Sequence, residues 1–454
     1  MKTIRTDFFR KTLSTLLLAA AFFSFFFVSP ASGFVEGERE VALEEALRSA
    51  LRHNEQIAAS RHRVTQAEED VRIARSPMLP QVNLQGRHIR TKEVEGPPPG
   101  MGGPDRYNEA SIQASQVLFQ GGKLRSSLHA SRYAMESSRL EHYRTREQIL
   151  FSVSGAYYNA LFARRSVEIA ENQLTRSNRQ LELAQSRREV GLVDMTAVLR
   201  ARVQVAAAVE AIEEAKNNYS IALEQLALEM GITRPPESIR EPGPIELTDD
   251  LSVEQYVERA YENRRDLKAS KEGLQAAMKQ VDAQRGDFLP TLSLEGSYSI
   301  VDDDDVYYGD DYNWQAALVA SYPLFTGMRD SAEVARARAR QSEVEASVNR
   351  IKQEIRLDVR SAYADIQTRK TMVQHIGDQV ESARANYGQV AAKFEEGLAS
   401  TVDVVDAQTA LNEAELRLAN VYYRLQLDHL ALKLAIGIFQ KDLLSQYTPD
   451  NTRR

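Results

Sequence analysis

The chain has 454 residues, of which 27% are charged and 43% hydrophobic, and a net charge of −7. That balance excludes both a disordered chain and a bundle of membrane-spanning helices. Residues 1–33 carry +3, leaving −10 on the remainder, which argues against a nucleic-acid partner.

Residues 1–33 read as a secretory signal peptide. Lys2, Arg5, Arg10 and Lys11 precede an apolar run from Leu13 to Val28, and small residues follow at Ser29-Pro-Ala-Ser-Gly33. Cleavage is expected near Ala31 or Gly33. The alternative is a membrane anchor, but the run of about 16 residues is short of the roughly 20 a helical span needs. The chain has no cysteine, so export to an oxidising compartment brings no disulfide, no thiol chemistry and no lipid-bearing cysteine.

The rest of the chain is duplicated. Ser76-Pro-Met-Leu-Pro-Gln-Val-Asn-Leu-Gln-Gly86 returns as Gly286-Asp-Phe-Leu-Pro-Thr-Leu-Ser-Leu-Glu-Gly296, and Val117-Leu-Phe-Gln-Gly121 as Pro323-Leu-Phe-Thr-Gly327. The offset is 206 from Leu118 to Ile232 and 210 around Pro80. Two similar structural units are expected, over 34–245 and 246–440, with a C-terminal tail at 441–454.

Each unit opens with a helix, about Asn54 to Arg75 in the first, followed by two strand-like runs. Val82, Leu84, Gly86 and His88 alternate with polar residues, as do Leu292, Leu294, Gly296, Tyr298 and Ile300. The return runs are Ala110, Ile112, Ala114, then Ala316, Leu318, Ala320, Tyr322. Period two predicts strands at about 81–91, 108–118, 291–301 and 312–323, each long enough to cross a membrane at a tilt. A hairpin of a soluble sheet fits the same pattern. Trp314, beside Tyr307, Tyr308 and Tyr312, suits a membrane-interface girdle. The acid runs Asp302 to Asp305 and Asp310-Asp311 lack calcium-loop spacing and are expected to be solvated.

No proline falls within 105–234 or 324–448, which permits very long helices. Val153, Ala160, Val167, Leu174 and Leu181 recur every seven residues. So do Val359, Ile366, Val373, Val380, Tyr387 and Phe394, which predicts coiled-coil packing. Gly191 and Gly397 suit helix ends, while Asp194 and Ser400 suit the N-caps of the helices that follow. Long helical hairpins are therefore expected over 122–232 and 328–438.

Four strands cannot close a barrel in lipid, because open edges leave backbone groups unsatisfied at several kcal/mol each. If the strands span, several chains must share one sheet. Three chains would supply twelve strands around an open lumen.

The order of helix, Leu-Pro, strand, loop, strand, Leu-Phe-x-Gly, long helix, Gly-Leu turn and helix occurs twice behind a signal. Together with Asn263-Arg-Arg-Asp-Leu267 and Gly397-Leu-Ala-Ser-Thr-Val-Asp-Val-Val-Asp-Ala-Gln408, it resembles the TolC-like outer-membrane factor family over essentially the whole mature chain. The resemblance implies a mostly α fold with a small membrane β part: duplicated hairpins form a trimeric α-barrel continuous with a shared 12-stranded outer-membrane β-barrel. It implies a channel-tunnel that serves as the exit duct of a tripartite efflux or type I secretion system. The implied partners are two further copies, a periplasmic adaptor, an inner-membrane transporter and outer-membrane lipid.

The resemblance also implies adaptor docking at Val190, Gly191, Leu192, Gly397 and Leu398, although both glycines also serve to end helices. It implies carboxylate rings at the periplasmic entrance from Asp403 and Asp406, against the alternative of an exposed acidic helix face. Phe394, Ala399 and Ala197 stand where relatives with a well-secured entrance use Tyr, Arg and Asp, so this entrance is expected to be held differently or less firmly. The seven histidines make no metal spacing, and no phosphate loop or catalytic constellation is visible, so neither a cofactor nor an enzyme is expected. A periplasmic coiled-coil adaptor or structural protein remains the alternative; an adaptor would need β-rich domains flanking a single hairpin where this chain has two, and a structural coiled coil would leave the duplicated strand pairs unexplained.

Overall fold

The computed structural model describes residues 40–90, 106–244, 251–303 and 312–439. The signal region, Tyr307, Tyr308 and the tail at 441–454 lie outside the described residues.

The first unit runs α1 (Leu43–His53), α2 (Glu55–Arg75), β1 (Gln81–Arg90), β2 (Arg106–Gln120), α3 (Lys123–Glu189) and α4 (Met195–Met230). The second repeats it as α5 (Val253–Asn263), α6 (Arg265–Arg285), β3 (Thr291–Asp303), β4 (Tyr312–Ser321), α7 (Arg329–Glu396) and α8 (Thr401–Ile436). At 1.5 Å per residue, α3 and α7 are each roughly 100 Å long. Strand β2 outruns its expected span at both ends. β4 stops before Pro323, which has no N–H to give a ladder.

Sequence periodicity shows one initial helix per unit where the structure has two. The break falls at Asn54 (φ −70°, ψ 122°) and at Arg264 (φ −60°, ψ 124°). Asn54 caps α2 by accepting from Gln56 N at 2.9 Å. Arg264 has no cap to offer; its guanidinium instead ties Asp266 and Asp358, at 2.5 and 2.6 Å.

The strands form one antiparallel sheet in the order β1-β2-β3-β4. The register sets Leu84, Ile112, Tyr298 and Trp314 in one row across all four strands. All four side chains are exposed. The other face carries Gln113, Ser297 and Gln315 in one row. The sheet thus has an apolar face and a polar face, and neither is covered by a helix.

Below the sheet, α3 packs along α4 and α2 on one side and along α6 and α8 on the other, whereas α7 packs along α6 and α8. The heptad residues make these contacts. Val153 and Ala160 join Leu47, Tyr157, Leu226 and Leu430 in one core. Val359 and Ile366 join Val257, Leu267 and Leu432 in its repeat. A short parallel bridge, Val41 to Ile239, straps the first core. The Tyr157 hydroxyl fastens it, its one proton shared between Val41 O at 2.9 Å and Arg240 O at 2.5 Å.

Candidate functional site at the hairpin tips

Both hairpins turn at the end of the molecule remote from the sheet, through glycines with positive φ (Gly191 76°, Gly397 86°). Each turn satisfies helix-end carbonyls: Leu192 N donates to Arg187 O at 2.9 Å and Leu398 N to Lys393 O at 2.8 Å. Left outside are three apolar side chains, Val190 (70% exposed), Leu192 (69%) and Leu398 (75%).

The helices that leave these turns start on strong caps. Asp194 accepts from Ala197 N at 3.1 Å. Ser400 and Asp403 form a reciprocal capping box: Ser400 N and Oγ donate to Asp403 Oδ2 at 2.8 and 2.7 Å, and Asp403 N donates to Ser400 Oγ at 3.3 Å. The N-cap was readable from sequence. Ser-x-x-Asp at a helix start is the sequence signal for the box that Asp403 closes.

The hydrogen bond from the Ser400 hydroxyl, then that from its amide, hold the Asp403 carboxyl below its ordinary pKa. A lowered carboxylate value supports the folded turn above the ordinary range, and that support is lost as pH falls through the lowered value. Ser400→Ala is expected to move the Asp403 titration upward. An NMR titration of that carboxyl checks this; an unmoved value would rule out the hydroxyl as the cause. Asp406, one turn further on, is exposed on the same face.

Arg187 joins the two tips. Arg187, on the last turn of α3, is only 9% exposed. Its guanidinium lies 5.2 Å from the Phe394 ring centroid and donates to Glu395 O at 3.2 Å. Phe394 is buried beneath it. Further up the same face of α3, Arg176 donates to Asn412 Oδ1 at 2.5 Å and lies 5.8 Å from the Tyr387 ring. The cleft between the tips, about 610 Å³, is bounded by Arg187, Leu192, Asp194, Ala197, Phe394 and Ser400. The expectation that Phe394, Ala399 and Ala197 form no ion pair therefore meets a different arrangement, in which Phe394 is a platform for a cation. The apolar heptad rows carry no sign of Arg187, whose partners lie on the other hairpin.

Among the described residues no His/Cys/Asp/Glu group could hold a metal ion. No described helix is long and apolar enough to cross a membrane. At the opposite end of the molecule Trp314 and Tyr312 stand exposed at the start of β4, and Tyr312 stacks on Tyr298 with centroids 6.4 Å apart.

The chain belongs to the outer membrane efflux protein family, whose model matches residues 46–231 and again 256–438. It is 27% identical to protein CyaE of Bordetella pertussis over 87% of this chain and 83% of that one. It is 25% identical to the outer membrane protein TolC of Escherichia coli, over 91% and 86%. Among solved structures, the Campylobacter jejuni CmeC outer membrane channel superposes with a TM-score of 0.78 at 18% identity, over 91% of this chain and 90% of that one. The Vibrio cholerae outer membrane protein VceC gives 0.75 at 22% identity, over 87% and 96%. The protein is an outer-membrane efflux channel component of a Gram-negative bacterium, and its large helical part is periplasmic.

Proposed function

We propose that three copies close edge to edge into a twelve-stranded barrel standing on a tube of long helices. The assembly passes small molecules or polypeptides outward from an inner-membrane transporter and its periplasmic adaptor. The observation that carries this reading is an open sheet with a bare apolar face. β1 and β4 are unpaired edges within one chain, and the Leu84–Ile112–Tyr298–Trp314 row is exposed along all four strands. Lipid is the solvent that suits that face, and a closed barrel is the only sheet lipid tolerates. Trp314 and Tyr312 then sit at a membrane interface. Reconstitution tests it: the purified protein should run as a trimer in detergent and conduct ions across a planar bilayer. A monomer that leaves the bilayer silent would refute it.

Val190, Gly191, Leu192, Gly397 and Leu398 form the adaptor-docking surface in this reading, supported by apolar side chains held out into solvent on rigid turns. Asp403 and Asp406 form two stacked carboxylate rings at the entrance when three copies assemble, favouring cations. Replacing both with alanine is expected to lower cation selectivity several-fold and to abolish block by trivalent cations. Bilayer recordings before and after the change decide it, and unaltered selectivity would remove the rings from the account.

A further inference from the structure

The internal repeat lets a seam seen within one chain report on a seam a lone chain leaves open. α3 has helical neighbours on both sides, whereas its counterpart α7 packs along α6 and α8 and carries the exposed Leu357. On the matching sides of α2 and α4, Ile73 and Val209 are exposed. Residues equivalent under the repeat differ in burial accordingly: Ala283 is 0% exposed, and its counterpart Ile73 is 66% exposed. A Cβ on Gly121 would meet Gly286 O at 2.3 Å, yet Gly327, in the same left-handed conformation, has nothing within 4 Å. The counterpart of Gly286 is Ser76, which is exposed.

We infer that neighbouring copies join in the register the repeat dictates, with β4 of one copy laid antiparallel on β1 of the next. In the chain, β2 and β3 pair Ala110 with Ile300, Ile112 with Tyr298 and Ala114 with Gly296. The 206 offset carries β2 onto β4 and the 210 offset carries β3 onto β1. The joint between copies therefore sets Ala316 opposite Arg90, Leu318 opposite His88 and Ala320 opposite Gly86. Below it, Gly327 seats against the neighbouring copy's Ser76. This register keeps Leu84, Gly86, Leu318 and Ala320 on one face across the joint, with His88 and Arg90 toward the loop end of β1, whereas a slip of one residue would turn that row to the polar side.

The same mapping gives the chemistry of the helical seam. Within a chain, α3 is tied across by Lys123–Asp287 at 2.7 Å, Glu147–Arg265 at 3.0 Å, Arg144–Asp266 at 3.8 Å and Arg176–Glu415 at 3.7 Å. Their counterparts between copies are Arg329 with Pro77, Gln353 with Glu55, Arg350 with Gln56, and Ser382 with Val209. None of these is a pair of opposite charges. The joint between copies is held by strand hydrogen bonds and by apolar contacts such as that of Ile73.

The inference rests on the trimer reading and adds its register, and the chain's lack of cysteine makes both testable in the full-length protein. Directly opposed strand residues have Cα atoms about 4.5–5.5 Å apart, within disulfide reach, whereas diagonal ones are at roughly 7–8 Å. The double variant Leu318→Cys/His88→Cys, oxidised in detergent, should run as a covalent trimer under denaturing conditions. The offset pair Leu318→Cys/Gly86→Cys should stay largely monomeric on the same gel. Ser382→Cys/Val209→Cys, joined by a flexible thiol-to-thiol cross-linker long enough to cover the Arg176–Glu415 reach of its counterpart pair, tests the helical seam independently of the barrel and should also link chains. A native trimer that cross-links better through the offset pair overturns the register and leaves the trimer standing. A protein that is monomeric before oxidation overturns both. The single-cysteine chains, compared for native trimer content, show whether a silent pair has merely failed to assemble; a silent pair in an intact trimer counts against the register.

Discussion

A Gly121→Ala chain is expected to lose about 3 kcal/mol or more of stability, enough to empty the outer membrane of folded protein. Gly121 follows β2 with φ +52°, where an L side chain already costs roughly 1–2 kcal/mol. The added methyl would also stand 2.3 Å from Gly286 O and 2.8 Å from Leu289 Cβ, so the backbone of the second unit must retreat. Gly122 is the internal control. It has φ +78° and nothing within 4 Å, so Gly122→Ala bears the backbone cost alone. Unfolding midpoints of the two variants separate the terms, and equal losses would show that the close approach contributes nothing.

The second large effect is functional. Arg187→Ala removes a buried guanidinium from the Phe394 ring and from Glu395 O, the contacts that bind one hairpin tip to the other. A cation–π contact and a charged hydrogen bond together are worth about 2–3 kcal/mol. If the entrance exchanges between closed and open forms, 2 kcal/mol multiplies the open population by roughly 30. The expected result is a marked rise in single-channel conductance or open time in planar bilayers. Arg187→Lys keeps the charge but not the flat fork, so it should fall between the two. Conductance equal to that of the parent protein in both variants would show that the entrance is secured elsewhere.

Much of the architecture was legible because it is written in short-range pattern. Period two in Leu292 to Ile300, period seven in Val359 to Phe394, and the glycines at 191 and 397 each specify an element without help from distant residues. The strands and long helices therefore begin and end within a few residues of expectation. The helix break at Arg264 was less visible, since arginine continues a helical composition and is turned aside by partners such as Asp358, whereas at Asn54 the cap itself marks where the second helix starts. The site was legible only in part. Val190, Leu192 and Leu398 follow from the turns they flank. The contact of Arg187 with Phe394 joins residues from different hairpins, and no local pattern announces it.

The central pairing of the sheet constrains how the chain matures. β2 hydrogen-bonds to β3 along almost its whole length, although the entire first helical hairpin and α5 and α6 lie between them. Closing so long a loop is entropically unfavourable unless the intervening residues are already ordered. The hairpin, whose two arms are neighbours in sequence, is therefore the natural first event, and it returns the chain to where it left. Such an order would let the newly exported polypeptide gather its helices in water and postpone the greasy ribbon until a bilayer is at hand.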